Sequence, residues 1–209
     1  MKLKDKVSLI QSLLDQFFPN PTIPLLHRDP YTLLIAVILS AQSTDQRVNT
    51  ITPYLFGKAS TPEDMIKLSL DTLIDIIRPC GLGPTKAKAI QKLSSILLLS
   101  YQGRVPASLP DLEKLPGVGP KTAAVVVSQA FNQPAFPVDT HIYRCARRWG
   151  LSQAKSPNNV SSDLKHLFPK TKWIKLHLQM IYYARQYCPA RRHIVTSCPI
   201  CQAVTFSPP

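Results

Sequence analysis

Apolar residues recur at helical spacing along almost the whole chain. Between residues 7 and 17, Val7, Ile10, Leu13, Leu14 and Phe17 line one face, so this stretch reads as an amphipathic helix. Pro19, Pro21 and Pro24 then break the chain, and Asp29-Pro30 opens YTLLIAVILSAQ, apolar nearly all round and therefore expected to be a central buried helix. Thr61-Pro62-Glu63 has the order of an N-cap, a first-turn proline and a first-turn acid. Similar starts stand at Ser69, at Pro84 and at Ser108-Leu109-Pro110-Asp111, while Gly103 and Gly150 fall where helices should stop. Alternating strand patterns with hairpin turns are missing. The chain therefore reads as all-α, and its 20 prolines suit many short helices packed at angles.

Composition narrows the class of partner. The 209 residues hold 25 Lys and Arg against 12 Asp and Glu, a formal net charge of +13, and a surplus of that size points to a polyanion. The N-terminal MKLKDKVSLIQSLLDQFF has acids and amides inside its apolar pattern and does not read as a signal peptide; the apolar run LLIAVIL is too short to span a bilayer. Five cysteines, three of them crowded near the C-terminus, do not suggest a disulfide framework, so the expected compartment is reducing and cytoplasmic, at the nucleoid if the source is bacterial.

LPGVGPKTAAVVV, residues 115–127, holds the most specific chemistry. The segment LPDLEKL forms a first short helix, PGVG a hairpin and PKTAAVVVSQAF a second helix. Gly117, Val118 and Gly119 would present backbone amides at the positive end of the second helix, a ready site for a DNA phosphate that reads no base. The bland alternative is a glycine link that only turns a corner. Lys121 sits in the first turn of that helix, where the dipole disfavours a cation and so favours the neutral, nucleophilic amine. A local echo, GLGPTKAKAI at 81–90, puts Leu82 on the tip of a tight loop, either as a wedge for a base stack or as a leucine tucked into the core. Asp139, in FPVDTHIYR, stands where an ordinary N-cap would; the alternative is a carboxylate that works with Lys121.

LPGVGPKTA followed by PVDTHIYR, together with LLIAVILSAQSTD at 33–45, closely resembles the helix-hairpin-helix, Gly-Pro-Asp DNA glycosylases and, within them, the endonuclease III branch. The resemblance runs from about residue 3 to about residue 201. It implies two helical lobes with a DNA-binding cleft between them. About residues 22–132 would form a helical barrel with the hairpin at 108–131, and residues 1–21 with 133–209 the second lobe. It also implies a monomeric base-excision glycosylase and abasic-site lyase that removes oxidised pyrimidines from duplex DNA through a lysine Schiff base. By position Lys121 is the nucleophile and Asp139 the assisting carboxylate. Gln42 fills the space left by a flipped base, Leu82 wedges the opposite strand, and Arg185, Arg191 and Arg192 contact phosphates. Ser40, Asp45 and His141 are expected at the pocket, although Asp45 also reads as a first-turn acid and His141 as a helix-surface histidine. A passive DNA-binding hairpin needs neither Lys121 nor Asp139. A relative excising mispaired adenine would lack the lysine and have a further C-terminal recognition domain.

The family often ends in C-x6-C-x2-C-x5-C holding a [4Fe–4S] cluster. Here Cys188 and Cys198 match the first and third positions, while Val195 and Val204 occupy the second and fourth, and Cys201 lies outside that register. With three residues inserted, Cys198 and Cys201 become the second and third ligands and Ser207 the fourth. Three readings stay open: a loop held by packing alone, a cluster on Cys188, Cys198, Cys201 and one other ligand, or a Cys₃His zinc site that includes His193. Cys80 and Cys145, alone in apolar patterns, read as core.

Overall fold

Short polar residues followed by proline or acid mark the helix starts, and the structure uses them. In the computed structural model, which describes residues 1–206, all regular structure among those residues is helical. Helix α1 spans Leu3–Phe17 and buries Ile10 and Leu14 of its stripe. Helix α2, Pro30–Ser40, is capped by Asp29: its Oδ1 accepts from Thr32 N–H at 2.8 Å, and Thr32 Oγ1 accepts from Asp29 N–H at 3.1 Å. Two otherwise orphaned donors are thus satisfied. Every residue from Tyr31 to Leu39 is buried, as an all-apolar helix demands.

Thr44, Thr61 and Ser69 cap α3 (Asp45–Lys58), α4 (Pro62–Lys67) and α5 (Leu70–Ile77) through their hydroxyls. Helix α6 (Gly83–Tyr101) follows, then α7 (Leu109–Glu113), capped by Ser108, and α8 (Pro120–Phe131). Then come the α-helices α9 (Thr140–Arg148), α10 (Pro157–Leu167), α11 (Trp173–Gln186) and α12 (Pro199–Phe206). Gly103 and Gly150 follow α6 and α9 with φ of 73° and 67°, a conformation glycine adopts without the Cβ clash.

The chain divides into two compact units. Pro24–Gln133 forms one, with α2 packed against α3, α6 and α8, and with α4 and α5 on α6. The other joins Met1–Ile23 to the chain from Pro134 onward. Its core includes Ile10, Leu14, Phe136, Trp149 and Tyr183, so α1 is recruited by burial across a long sequence gap. A polar clamp fixes that recruitment. Gln179 of α11 is 1% exposed, and its amide donates to Asp15 Oδ1 and Phe18 O at 2.9 Å and to Leu14 O at 3.2 Å. The Lys175 ammonium pairs with the same Asp15 carboxylate and, with the Gln179 bond, holds it below the usual carboxylate range. Among the described residues, no helix is long and apolar enough to cross a membrane.

Candidate functional site

The hairpin between α7 and α8 is built from two glycines with different duties. Gly117 has φ 79°, and a Cβ there would lie 3.0 Å from Ala89 Cβ, so the turn needs glycine for both conformation and space. Gly119, the N-cap of α8, has φ −90°, and a Cβ there would meet nothing within 4 Å. The fold itself does not require glycine at 119. Val118 departs from the sequence expectation: its side chain is 6% exposed and its N–H donates to Leu115 O at 3.1 Å. Val118 is therefore an inward anchor of the turn, and the groups left to meet an anion belong to Gly117, Gly119 and the first turn of α8. Amides of a first turn have no intrahelical acceptor, and Lys121 stands among them with an exposed side chain.

The echo at 81–86 presents its apolar residue instead. Leu82 has φ 53°, rarely adopted by a branched side chain, and is 52% exposed, so it is not a core leucine. Gln42, also exposed, has φ 57° just past the end of α2. Lys86, which sequence reasoning passed over, ties these two turns together. Its ammonium donates to Leu39 O at 2.9 Å, Ala41 O at 2.7 Å and Cys80 O at 2.9 Å, with the residue 5% exposed. Burial pushes the Lys86 amine below its usual range, while three carbonyl acceptors, two of them at the negative end of α2, suit the charged form. The available signal was a lysine in an otherwise inward-facing position of an amphipathic helix. Ser40 donates to Val37 O at 2.8 Å, and Asp45 is the first-turn acid of α3, so both flank the Gln42 turn.

In the other unit Asp139 is the N-cap of α9, its Oδ1 accepting from Ile142 N–H at 2.8 Å. His141 Nδ1 lies 3.3 Å from Arg144 Nη2, and Arg144 in turn donates to Ala184 O and Cys188 O. Helix α9 thus runs from Asp139 to the cysteine loop. Arg185 and Arg191 are exposed, the first in the last turn of α11 and the second in that loop.

Cys188, His193, Cys198 and Cys201 each bring one ligand atom into a group whose members all lie within 4.8 Å of one another, a donor set compatible with a metal. Cys145 is buried as expected but is not alone. Its thiol neighbours Cys188, and the surrounding Cys145, Cys198 and Cys201 thiols together with the Arg148 guanidinium hold the Cys188 thiol well below its usual range. Val195 and Val204 offer no donor, and Ser207 lies outside the described residues.

Residues 35–170 match the family model described as HhH-GPD superfamily base excision DNA repair protein. Endonuclease III of Bacillus subtilis (strain 168) is 43% identical over 184 residues, 88% of this chain and 84% of the relative. Among solved structures, a non-covalent endonuclease III–DNA complex superposes with a TM-score of 0.92 at 42% identity, covering 97% of this chain and 95% of that one. A trapped endonuclease III–DNA covalent intermediate gives a TM-score of 0.91 at 43% identity, covering 96% and 94%. The chain belongs to the HhH-GPD superfamily of base excision DNA repair proteins.

Proposed function

We propose that this chain is a base-excision DNA glycosylase with abasic-site lyase activity, acting inside the cell on duplex DNA that holds an oxidised pyrimidine. The observation that carries the reading is Lys121, an exposed amine in the first turn of α8 beside a glycine that the fold does not need. Gly119 without a Cβ lets a phosphate approach the turn, and the helix N-terminus favours that anion. The hairpin then sets the sugar beside the amine.

The neutral Lys121 amine attacks C1′ as the damaged base departs and takes up a proton. The ring opens to a Schiff base between C1′ and Nζ. That imine acidifies C2′–H, and loss of the proton expels the 3′ phosphate, which breaks the strand 3′ to the lesion. Water hydrolyses the imine and restores the amine. Asp139, with Oδ1 committed to its own helix cap, serves as the carboxylate that steadies positive charge on the sugar and relays protons. Gln42 and Leu82 hold the duplex open once the nucleotide is flipped. Ser40 and Asp45, which flank the Gln42 turn, and His141, in the first turn of α9, are assigned to contacts with the flipped nucleotide, and Arg185 and Arg191 to phosphate contacts. The Cys/His group is a structural metal site that fastens the loop holding Arg191.

The test is borohydride trapping on a duplex with one abasic site. Wild type forms a covalent adduct and Lys121→Gln forms none; a full adduct from Lys121→Gln removes the assignment. Duplexes with a single oxidised thymine, against undamaged controls, test the substrate class. Binding weakens steeply with added salt as phosphate contacts release counterions.

A further inference from the structure

The spacing of the four C-terminal donors decides between two kinds of metal centre. Each thiolate of a four-iron cluster binds its own iron at a separate corner of a cube, with inorganic sulfide filling the middle. The sulfurs must then stand well apart. Here Cys188 Sγ and Cys201 Sγ are 3.8 Å apart, in contact with each other, and all four donor atoms fit within 4.8 Å. That leaves no volume for an iron–sulfide core. Two sulfurs bound at about 2.3 Å to one tetrahedral ion would be about 3.8 Å apart, and a sulfur and an imidazole nitrogen about 3.6 Å.

The ligand types agree with the distances. Three cysteines at 0%, 0% and 2% exposure surround the site, and His193 Nε2 is shut off from solvent with no hydrogen-bond partner among the described residues. A buried imidazole nitrogen without a partner is costly unless it binds something. The outer groups are also present. Arg148 donates to Cys188 Sγ at 3.2 Å, and the Tyr183 hydroxyl, which accepts from Ile200 N–H at 2.8 Å, lies 3.6 Å from Cys198 Sγ. Both can temper thiolate charge, and a Cys₃His set around a divalent ion has one net negative charge for Arg148 to offset.

We propose that Cys188, His193, Cys198 and Cys201 hold one zinc ion, in place of the iron–sulfur cluster of the wider family. Tetrahedral sulfur-and-nitrogen sites of this kind select zinc. The ion fastens Cys188 and α12 around the loop with Arg191 and Arg192, and through Arg144 and Arg148 it braces α9. This assignment stands on donor geometry and is independent of the reaction proposed above.

Full-length protein is purified anaerobically from cells supplied with both iron and zinc, then assayed for metals, acid-labile sulfide and X-ray absorption at the zinc edge. The expected result is one zinc per chain, no labile sulfide, and a shell of three sulfurs and one nitrogen. His193→Ala should weaken zinc retention against a chelator by at least about tenfold. His193→Cys should keep the zinc with a four-sulfur shell, which separates loss of a ligand from loss of the fold. Iron with matching labile sulfide, protein without metal, or a shell unchanged in His193→Ala would each overturn the assignment.

Discussion

The turns at 81–86 and 117–121 share Gly-x-Gly-Pro and a lysine just beyond, yet they face opposite ways. In the first, the residue between the glycines is out and the lysine is in: Leu82 is 52% exposed and Lys86 only 5%. In the second, Val118 is 6% exposed and Lys121 is exposed. The first glycine of each has positive φ, 68° at Gly81 and 79° at Gly117, so the chain enters both turns similarly. The difference follows from helical phase. Helix α6 begins at Gly83 with Leu82 as its N-cap, whereas α8 begins at Pro120 with Gly119 as its cap. Lys121 is the second residue of α8 and Lys86 the fourth of α6, a difference of two positions or about 200° around a helix axis. Two positions of helical register separate the structural lysine from the exposed amine.

The largest effect should come from moving that amine. Lys121→Gln should lower strand cleavage at an abasic site at least about a thousandfold while binding to the same duplex stays within a few-fold. The paired change Lys121→Thr with Thr122→Lys gives the second turn the Gly-Pro-Thr-Lys order of the first. It should fold normally and form no borohydride adduct. Trapping at wild-type yield would mean that helical phase is not what distinguishes the two turns.

Next is the converse, removing the inward lysine. Lys86→Met leaves three carbonyls without their donor and should cost about 3 kcal/mol, read from urea midpoints at constant slope. Because Lys86 links the Gln42 turn to the Leu82 turn, excision of a damaged base should fall more than cleavage of a preformed abasic site. Equal losses in both assays would make Lys86 a stability residue only.

Much of this was legible in the chain. The stripe of α1, the continuous burial of α2 and the caps at Thr61, Ser69 and Ser108 follow from local rules, because spacing and capping act within a few residues. The family, too, was legible in three short segments. What stayed hidden depends on closure in three dimensions. Val118 turned inward, its amide bonded to Leu115 O and its side chain buried, which no pattern in GVG announces. Lys86 finds two of its three acceptors 45 and 47 residues away and Gln179 finds its acceptors 161 or more residues away, and polar residues with distant partners look like solvent-facing ones in sequence. The cysteine spacing leaves the family's four-cysteine pattern incomplete, and only the fold brings His193 together with three sulfurs into a donor set compatible with a metal.

The smallest effects separate the two glycines of the hairpin. Gly117→Ala must hold alanine at φ 79° with its Cβ 3.0 Å from Ala89 Cβ, so about 1–2 kcal/mol of stability should be lost. Gly119→Ala meets no such obstacle. A less favourable N-cap is offset by reduced freedom of the unfolded chain, and the net change should stay within about 0.5 kcal/mol. The added methyl nevertheless stands beside amides that an incoming phosphate must reach, so duplex affinity at fixed salt should weaken by about tenfold. Unchanged affinity in Gly119→Ala would place the phosphate elsewhere and leave the hairpin a corner of the fold, as the turn at Leu82 would be without its exposed leucine.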